Sequence, residues 1–399
     1  MNMLIIGNGF DLAHERPTTY ADFLQFLYYI LSAKEYLGDK AEFESHLVIK
    51  SPTVRQYILS SFDTRKNPKS EYVGNTNNAI QELYNCLDKN VWYEYFSAIW
   101  REDSINGRNW IDFEQEILEV IDFFDHTIKN IHGRIADNVE TETDFNRDMN
   151  KINRFWRLFR TKIQQEGVKK CLWSGFVDKT YQDLQDLVRC LEIYLDDCVG
   201  KIPVTCHSPD IHGLQIDSVL NFNYTAIPTG MYPSLANTHY IHGWAKTSRP
   251  AAENNMVLGV NEYWEGSEKN LRTNFNPYKK FVQRIIKGTG INYKTALNQM
   301  SSDYEEGNRF QAKSKEYFSA RHSNVYIFGH SLDITDGDIL REVMRTPGVI
   351  TTIFYRSKQQ QANQIANLSK VLGQDELLER TFSISPTIIF KQQADMEKL

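Results

Sequence analysis

Gly7-Asn8-Gly9 follows directly on the apolar run Met3-Leu4-Ile5-Ile6, and it is the first place in the chain where backbone can come close to a ligand. A glycine turn that leads into a helix offers unpaired N–H groups and the positive end of a helix dipole, chemistry suited to phosphate. The pattern also fits a tight turn with no ligand. The third glycine of the dehydrogenase fingerprint is missing, with Leu12 in its place, which argues against a conventional dehydrogenase. Asn223, in Asn221-Phe-Asn-Tyr-Thr225, and His242, in Ile241-His-Gly243, supply the other useful groups. An amide donates and accepts without carrying charge, and an imidazole titrates near neutrality, so the pair suits orientation and general-base work. His-Gly occurs at His132, His212 and His242, so position has to decide between them. His242 ends a strand-like segment soon after the Asn223 strand, whereas His132 lies in helical sequence and His212 in a loop. A lone histidine is more often structural. Gly329-His330-Ser331 closes a further apolar run, and Ser331 also reads as the N-cap of a helix carrying Asp333, Asp336 and Asp338.

The elements that must position these residues are strand-like runs at 3–6, 217–224, 239–243, 256–260, 324–329 and 349–355, several of them apolar on both faces. Such runs predict a mainly parallel sheet covered by helices. Thr18 and Thr19 offer N-caps for a helix over Tyr20 to Leu37. From about 38 to 205 apolar residues recur at helical spacing, as in Phe145, Met149, Ile152, Trp156 and Phe159, and in Leu184, Leu187, Leu191, Tyr194 and Leu195. The expected organisation is an α/β domain of 1–37 plus 206–399, interrupted by an all-helical insertion over 38–205, with Ser51 to Asn77 as a loop between helices.

The 399 residues carry a formal charge of −6, which offers a phosphate backbone no broad attraction and makes nucleic acid an unlikely partner. Five cysteines without a C-x-x-C pair argue against a disulfide framework and against bound zinc. No export signal opens the sequence and no apolar stretch approaches the ~20 residues of a bilayer crossing, so a cytoplasmic protein without a membrane partner is expected. Lys279, Lys280, Arg284 and Lys287 read either as an anion-binding patch or, more commonly, as a solvated helix face. Trp110, Asp112 and Glu114 either project toward a site or fix a helix start. Cys190, Cys198 and Cys206 are too widely spaced to share a metal and read as buried thiols.

In order along the chain, Gly7-x-Gly9-x(7)-Pro17, Asn221 to Thr225, Ile241-His-Gly243 and Gly329 to Leu332 resemble the motifs of sirtuin-type NAD-binding proteins. The segments Ile5 to His14 and Phe328 to Asp336 resemble more specifically the opening and late signatures of the AbiH family of bacterial abortive-infection proteins. These resemblances imply a sirtuin-like, Rossmann-type sheet. They also imply a phage-defence effector that binds NAD and hydrolyses its nicotinamide–ribose bond. On that reading Asn223 and His242 are catalytic, while Gly7, Asn8, Gly9, Phe10, Asp11, Gly329, His330 and Ser331 hold the dinucleotide, and Asp11 can stabilise developing positive charge. Two positions depart from the sirtuin pattern: Asp11 replaces a serine and Thr225 an aspartate. The four-cysteine zinc module of deacetylating sirtuins has no counterpart, so no metal and no deacetylation are expected. A non-catalytic dinucleotide or ADP-ribose sensor and a nucleic-acid-directed toxin are the alternatives. The helical domain is assigned to oligomerisation or to sensing a phage-derived trigger.

Overall fold

The structure is a computed structural model. It describes residues 1–66, 74–106, 110–128, 147–167, 173–228, 230–264, 266–268, 272–290, 292–313 and 322–399. The chain forms two compact units, one of Met1–Arg16, Pro203–Trp244 and Gly288–Leu399, the other of Pro17–Ile202 and Ala245–Lys287.

The first unit is α/β. Its strands are β1 (Asn2–Ile6), β2 (Cys206–His207), β3 (Ser218–Asn221), β4 (Thr238–Tyr240), β5 (Ser323–Phe328), β6 (Val349–Tyr355), β7 (Ile388–Gln392) and β8 (Glu397–Lys398). Six of them form one sheet in the order β4-β3-β1-β5-β6-β7, and every pairing in it is parallel. β2 and β8 pair antiparallel as a separate ribbon. Alternation along β1 sends Met3 and Ile5 into one core and Leu4 and Ile6 into the other. All four side chains are fully buried, each contributing about 1.5–3 kcal/mol. The first core takes Leu297 and Met300 from the helix Tyr293–Lys313, Ile339, Leu340 and Val343 from Gly337–Arg345, and Leu368 and Val371 from Lys358–Leu372. The second core is closed by Phe10 from the helix Asn8–Ala13, together with Ile211, Ile227, Tyr232 and Leu235.

The second unit is helical, and its core is aromatic: Phe23, Phe26, Trp92, Phe96, Phe113, Phe124, Phe155 and Phe176 are all buried. Tyr20–Glu35 belongs here rather than with the sheet, started by a capping box in which Thr19 and Asp22 satisfy each other's backbone N–H groups. The segment 245–287 also falls in this unit. Glu192, fully buried, accepts from Lys246 N (3.1 Å) and Asn254 Nδ2 (2.5 Å), and Tyr278 donates to Thr180 Oγ1 (2.8 Å). The observed boundaries therefore differ from the expected break points at 37/38 and 205/206.

Three local expectations need correction. The loop expected over Ser51 to Asn77 is replaced, in its described residues, by the helix Pro52–Lys66 and the start of the helix Gly74–Leu87, while 67–73 lie outside the described residues. Met256 to Val260 is buried but forms no ladder beyond one bridge from Val260 to Lys279, because an apolar run among helices looks the same in sequence as a buried strand. The cations near 280 form neither a patch nor a solvated face. Lys279 and Lys280 are buried, Lys279 donating to both Glu262 oxygens (3.0 and 2.8 Å) and Lys280 pairing with Glu114 (2.7 Å). Charges removed from water need such partners, and the exposed side chains of that helix are Phe281, Ile285 and Ile286. Of the two helical stripes, Leu184, Leu187, Leu191, Tyr194 and Leu195 are buried, as are Ile152, Trp156 and Phe159. Phe145 lies outside the described residues. Among the described residues no helix is long and apolar enough to cross a membrane.

Candidate functional site

The parallel register brings the motif segments out along one edge of the sheet. Ile6 pairs with Asn221 and with Phe328, and Asn221 pairs with Tyr240, so Gly7, Phe222, Ile241 and Gly329 each stand one residue past the same row. Asn223 and His242 stand two past it. This edge is the carboxyl end of the strands. The chain order of the strands reverses between β1 and β5, and in open α/β sheets that point is where ligands bind.

The loops from β1 and β5 pack backbone against backbone. Gly7 N donates to Phe328 O (3.2 Å) and Gly9 N to Gly329 O (2.8 Å). A Cβ on Gly7 would lie 2.8 Å from His330 Cα, and one on Gly9 would lie 2.7 Å from Gly329 Cα. Loop-on-loop packing is thus what requires these glycines. Asn8 is partly exposed at the start of the short helix Asn8–Ala13. Phe10 is a core residue, its ring packed against His14, Tyr232 and Phe328 and not placed as a ligand contact.

Asp11 is also internal. Its carboxylate accepts from Thr225 Oγ1 (2.5 Å) and more distantly from Arg16 Nη1 (3.4 Å), and burial pushes its pKa up against the lowering effect of both. Arg16 further donates to Ala226 O (3.1 Å), so the group braces the first helix against the loop after β3. That bracing, rather than stabilisation of a ligand's charge, accounts for the Asp11 side chain. Asn223 sends its amide to Gly7 O (3.0 Å), while its own N–H is held by Asn221 Oδ1 (2.8 Å). Asn223 therefore touches the glycine loop.

His242 Nε2 lies 3.0 Å from Asp336 Oδ1, and His330 Nε2 lies 3.6 Å from Asp336 Oδ2. Phe222 stands edge-on to both imidazoles, with centroids 5.6 and 4.6 Å away. Asn223 and His242 are thus hydrogen-bonded to different partners at the same edge. Ser331 is exposed and does not cap the following turn. Asp333 does, accepting from Thr335 N, while the Ser331 carbonyl accepts from Asn367 Nδ2 (3.1 Å).

Sequence reasoning read Asp336 only as an acid suited to a helix start and missed that it joins the two histidines. The late signature from Phe328 to Asp336, which ends on this residue, was the available signal. Trp110, Asp112 and Glu114 belong to the helical unit, where Asp112 Oδ1 accepts from Glu114 N and Gln115 N at a helix start. His132 lies outside the described residues. Among the described residues no group of three or more His, Cys, Asp or Glu side chains is arranged to hold a metal ion.

His14, which closes the opening signature, has a structural explanation. Its Nδ1–H donates to Phe10 O (2.7 Å), which leaves Nε2 of the neutral ring to accept from the Tyr232 hydroxyl 2.8 Å away. Burial lowers its pKa below the ordinary 6.5. The unfolded chain then binds a proton at His14 that the folded chain refuses, so this stabilisation is complete above 6.5 and is lost as pH falls through the depressed folded value. In urea titrations at pH 7 and pH 5, His14→Gln is expected to shrink the wild-type drop in stability by up to about 2 kcal/mol. An unchanged drop would mean the ring accepts a proton in the folded protein.

A family model described as bacteriophage abortive infection AbiH matches residues 3–355. No curated protein and no solved structure gives a significant match.

Proposed function

The chain belongs to the AbiH family of bacteriophage abortive-infection proteins, and from that premise we propose that it is a cytoplasmic phage-defence effector that binds NAD and hydrolyses the nicotinamide–ribose bond. Family membership itself points to a role in abortive infection. The NAD chemistry rests on the site. Its main support is the convergence of four motif segments, drawn from residues 7 to 336, on the carboxyl edge where the strand order reverses. Counted within the sheet, that order reads 3-2-1-4-5-6, the order of doubly wound dinucleotide-binding folds.

The two departures from the sirtuin pattern remove groups that the resemblance would use at the ligand, and they meet each other instead. A carboxylate stands at 11 where the pattern has a hydroxyl, a hydroxyl stands at 225 where it has a carboxylate, and the two are hydrogen-bonded.

In this reading Asn223 orients the nicotinamide ribose and keeps the glycine loop in place through Gly7 O, and His242 is the base at a ribose hydroxyl. Glycosidic cleavage passes through an oxocarbenium-like state, so the site must orient the sugar and keep stray nucleophiles away. The dinucleotide lies along Gly7 to Gly9 and Gly329 to Ser331. The helical unit provides the surface for self-association or for a phage-derived trigger.

The test is nicotinamide release from NAD by the purified full chain, alone and with lysate from phage-challenged cells, alongside calorimetric titration with NAD. Release under either condition is expected. Saturable binding without release would replace this reading with that of a non-catalytic sensor, and the absence of both would end the NAD assignment.

A further inference from the structure

We propose that Asp336 is the positioning residue of His242, fixing its proton on Nε2 so that Nδ1 is the atom that takes the substrate's proton. This rests on the reading of His242 as the base.

The argument begins at His330. Its Nδ1 accepts the Leu332 backbone N–H (2.9 Å), which puts the hydrogen of the neutral ring on Nε2, the side facing Asp336. An ionised carboxylate only accepts hydrogen bonds, so the 3.0 Å contact from its other oxygen to His242 Nε2 requires a hydrogen on that nitrogen too. The Leu332 N–H thus sets the tautomer of His330, and the Asp336 carboxylate sets that of His242.

The loop that delivers Asp336 is built for this. Gly329 and Leu332 both have left-handed backbone, φ 70° and 60°, a conformation a leucine seldom takes. The Leu332 side chain is fully buried in the sheet's helix-covered core, which holds that backbone in place. Gln364 Nε2 donates to His330 O (3.1 Å) and Asn367 Nδ2 to Ser331 O (3.1 Å), fixing the loop to the helix Lys358–Leu372. Asp333 then caps the turn Ile334–Asp336 whose last residue is the carboxylate in question.

In the proton-transfer step the ribose O–H bond breaks, its electron pair stays on oxygen and its proton bonds to Nδ1. The resulting imidazolium keeps its Nε2–H against the Asp336 carboxylate, which favours the charged ring electrostatically.

The experiment is a long-range ¹H–¹⁵N correlation of the full chain labelled at histidine, with His242→Gln used to assign the His242 signals. Wild type is expected to show the Nε2–H tautomer at His242. Asp336→Ala should give a mixture of tautomers, and Asp336→Glu should restore the single form in part. Asp336→Asn keeps the side-chain volume should the alanine variant fail to fold. In turnover, Asp336→Asn is expected to lower kcat by about 10²–10³ with KM little changed. An Nδ1–H tautomer in wild type, or an unchanged Nε2–H tautomer in both Asp336→Ala and Asp336→Asn, overturns the proposal. The tautomer is read without any turnover, so absence of nicotinamide release removes the base reading while the spectrum still decides whether Asp336 orients the ring.

Discussion

Replacing His242 with alanine is expected to cut nicotinamide release by about 10²–10⁴, the usual contribution of a positioned general base. The loss should fall on kcat with little change in KM, because proton removal develops only in the transition state. The prediction distinguishes two roles that share the same geometry. A purely structural His242, buried and tied to Asp336, would lower the urea midpoint on replacement but leave turnover per folded molecule intact. A catalytic one gives the opposite pattern. Asn223→Ala is expected to affect both, since its amide also holds Gly7 O across more than two hundred residues of sequence. If His242→Ala keeps its full rate while Asn223→Ala loses it, the base lies elsewhere at the same edge.

How much of this was legible in the sequence depends on how far away each residue's partner lies. β1 could be read because its run is apolar and buried on both faces, and β5 and β6 because their apolar runs alternate buried with half-buried positions and end fully buried. β7 could not, since it is an edge strand whose apolar run is only Ile388 to Phe390 and whose Ile389, Lys391 and Gln392 are exposed. The helix Pro52–Lys66 was hidden by its polar composition and by its proline, yet that proline sits at the first helical position, where it costs no hydrogen bond.

The buried cations illustrate the general limit. Lys280 finds its partner at Glu114, far upstream, and no local pattern distinguishes a cation so paired from one in water. Asp336 is the same case, its acid group visible but its meeting with His242, 94 residues earlier, set only by the sheet. The motifs located the edge, and tertiary contacts assigned the side chains on it, including the transfer of Phe10 and Asp11 from ligand contacts to core and brace.

The largest loss of stability is expected from Gly329→Ala. The backbone there is left-handed, φ 70°, and an added Cβ would stand 2.3 Å from Phe10 N and 2.5 Å from Gly9 C. Both are backbone atoms that cannot rotate away, so the β1 and β5 loops would have to separate and give up the bond from Gly9 N to Gly329 O. Strain of about 1–2 kcal/mol for the dihedral and about 1–3 kcal/mol for overpacking together approach the whole stability of a marginal domain. Gly288→Ala supplies the control, since φ there is 63° and nothing lies within 4 Å of the added Cβ. It carries the dihedral cost alone, about 1 kcal/mol. The difference between the two urea midpoints therefore measures the contact between the loops. Equal losses would mean the loops do not meet, and the edge that gathers Asn223, His242 and Asp336 would lose the packing that holds it together.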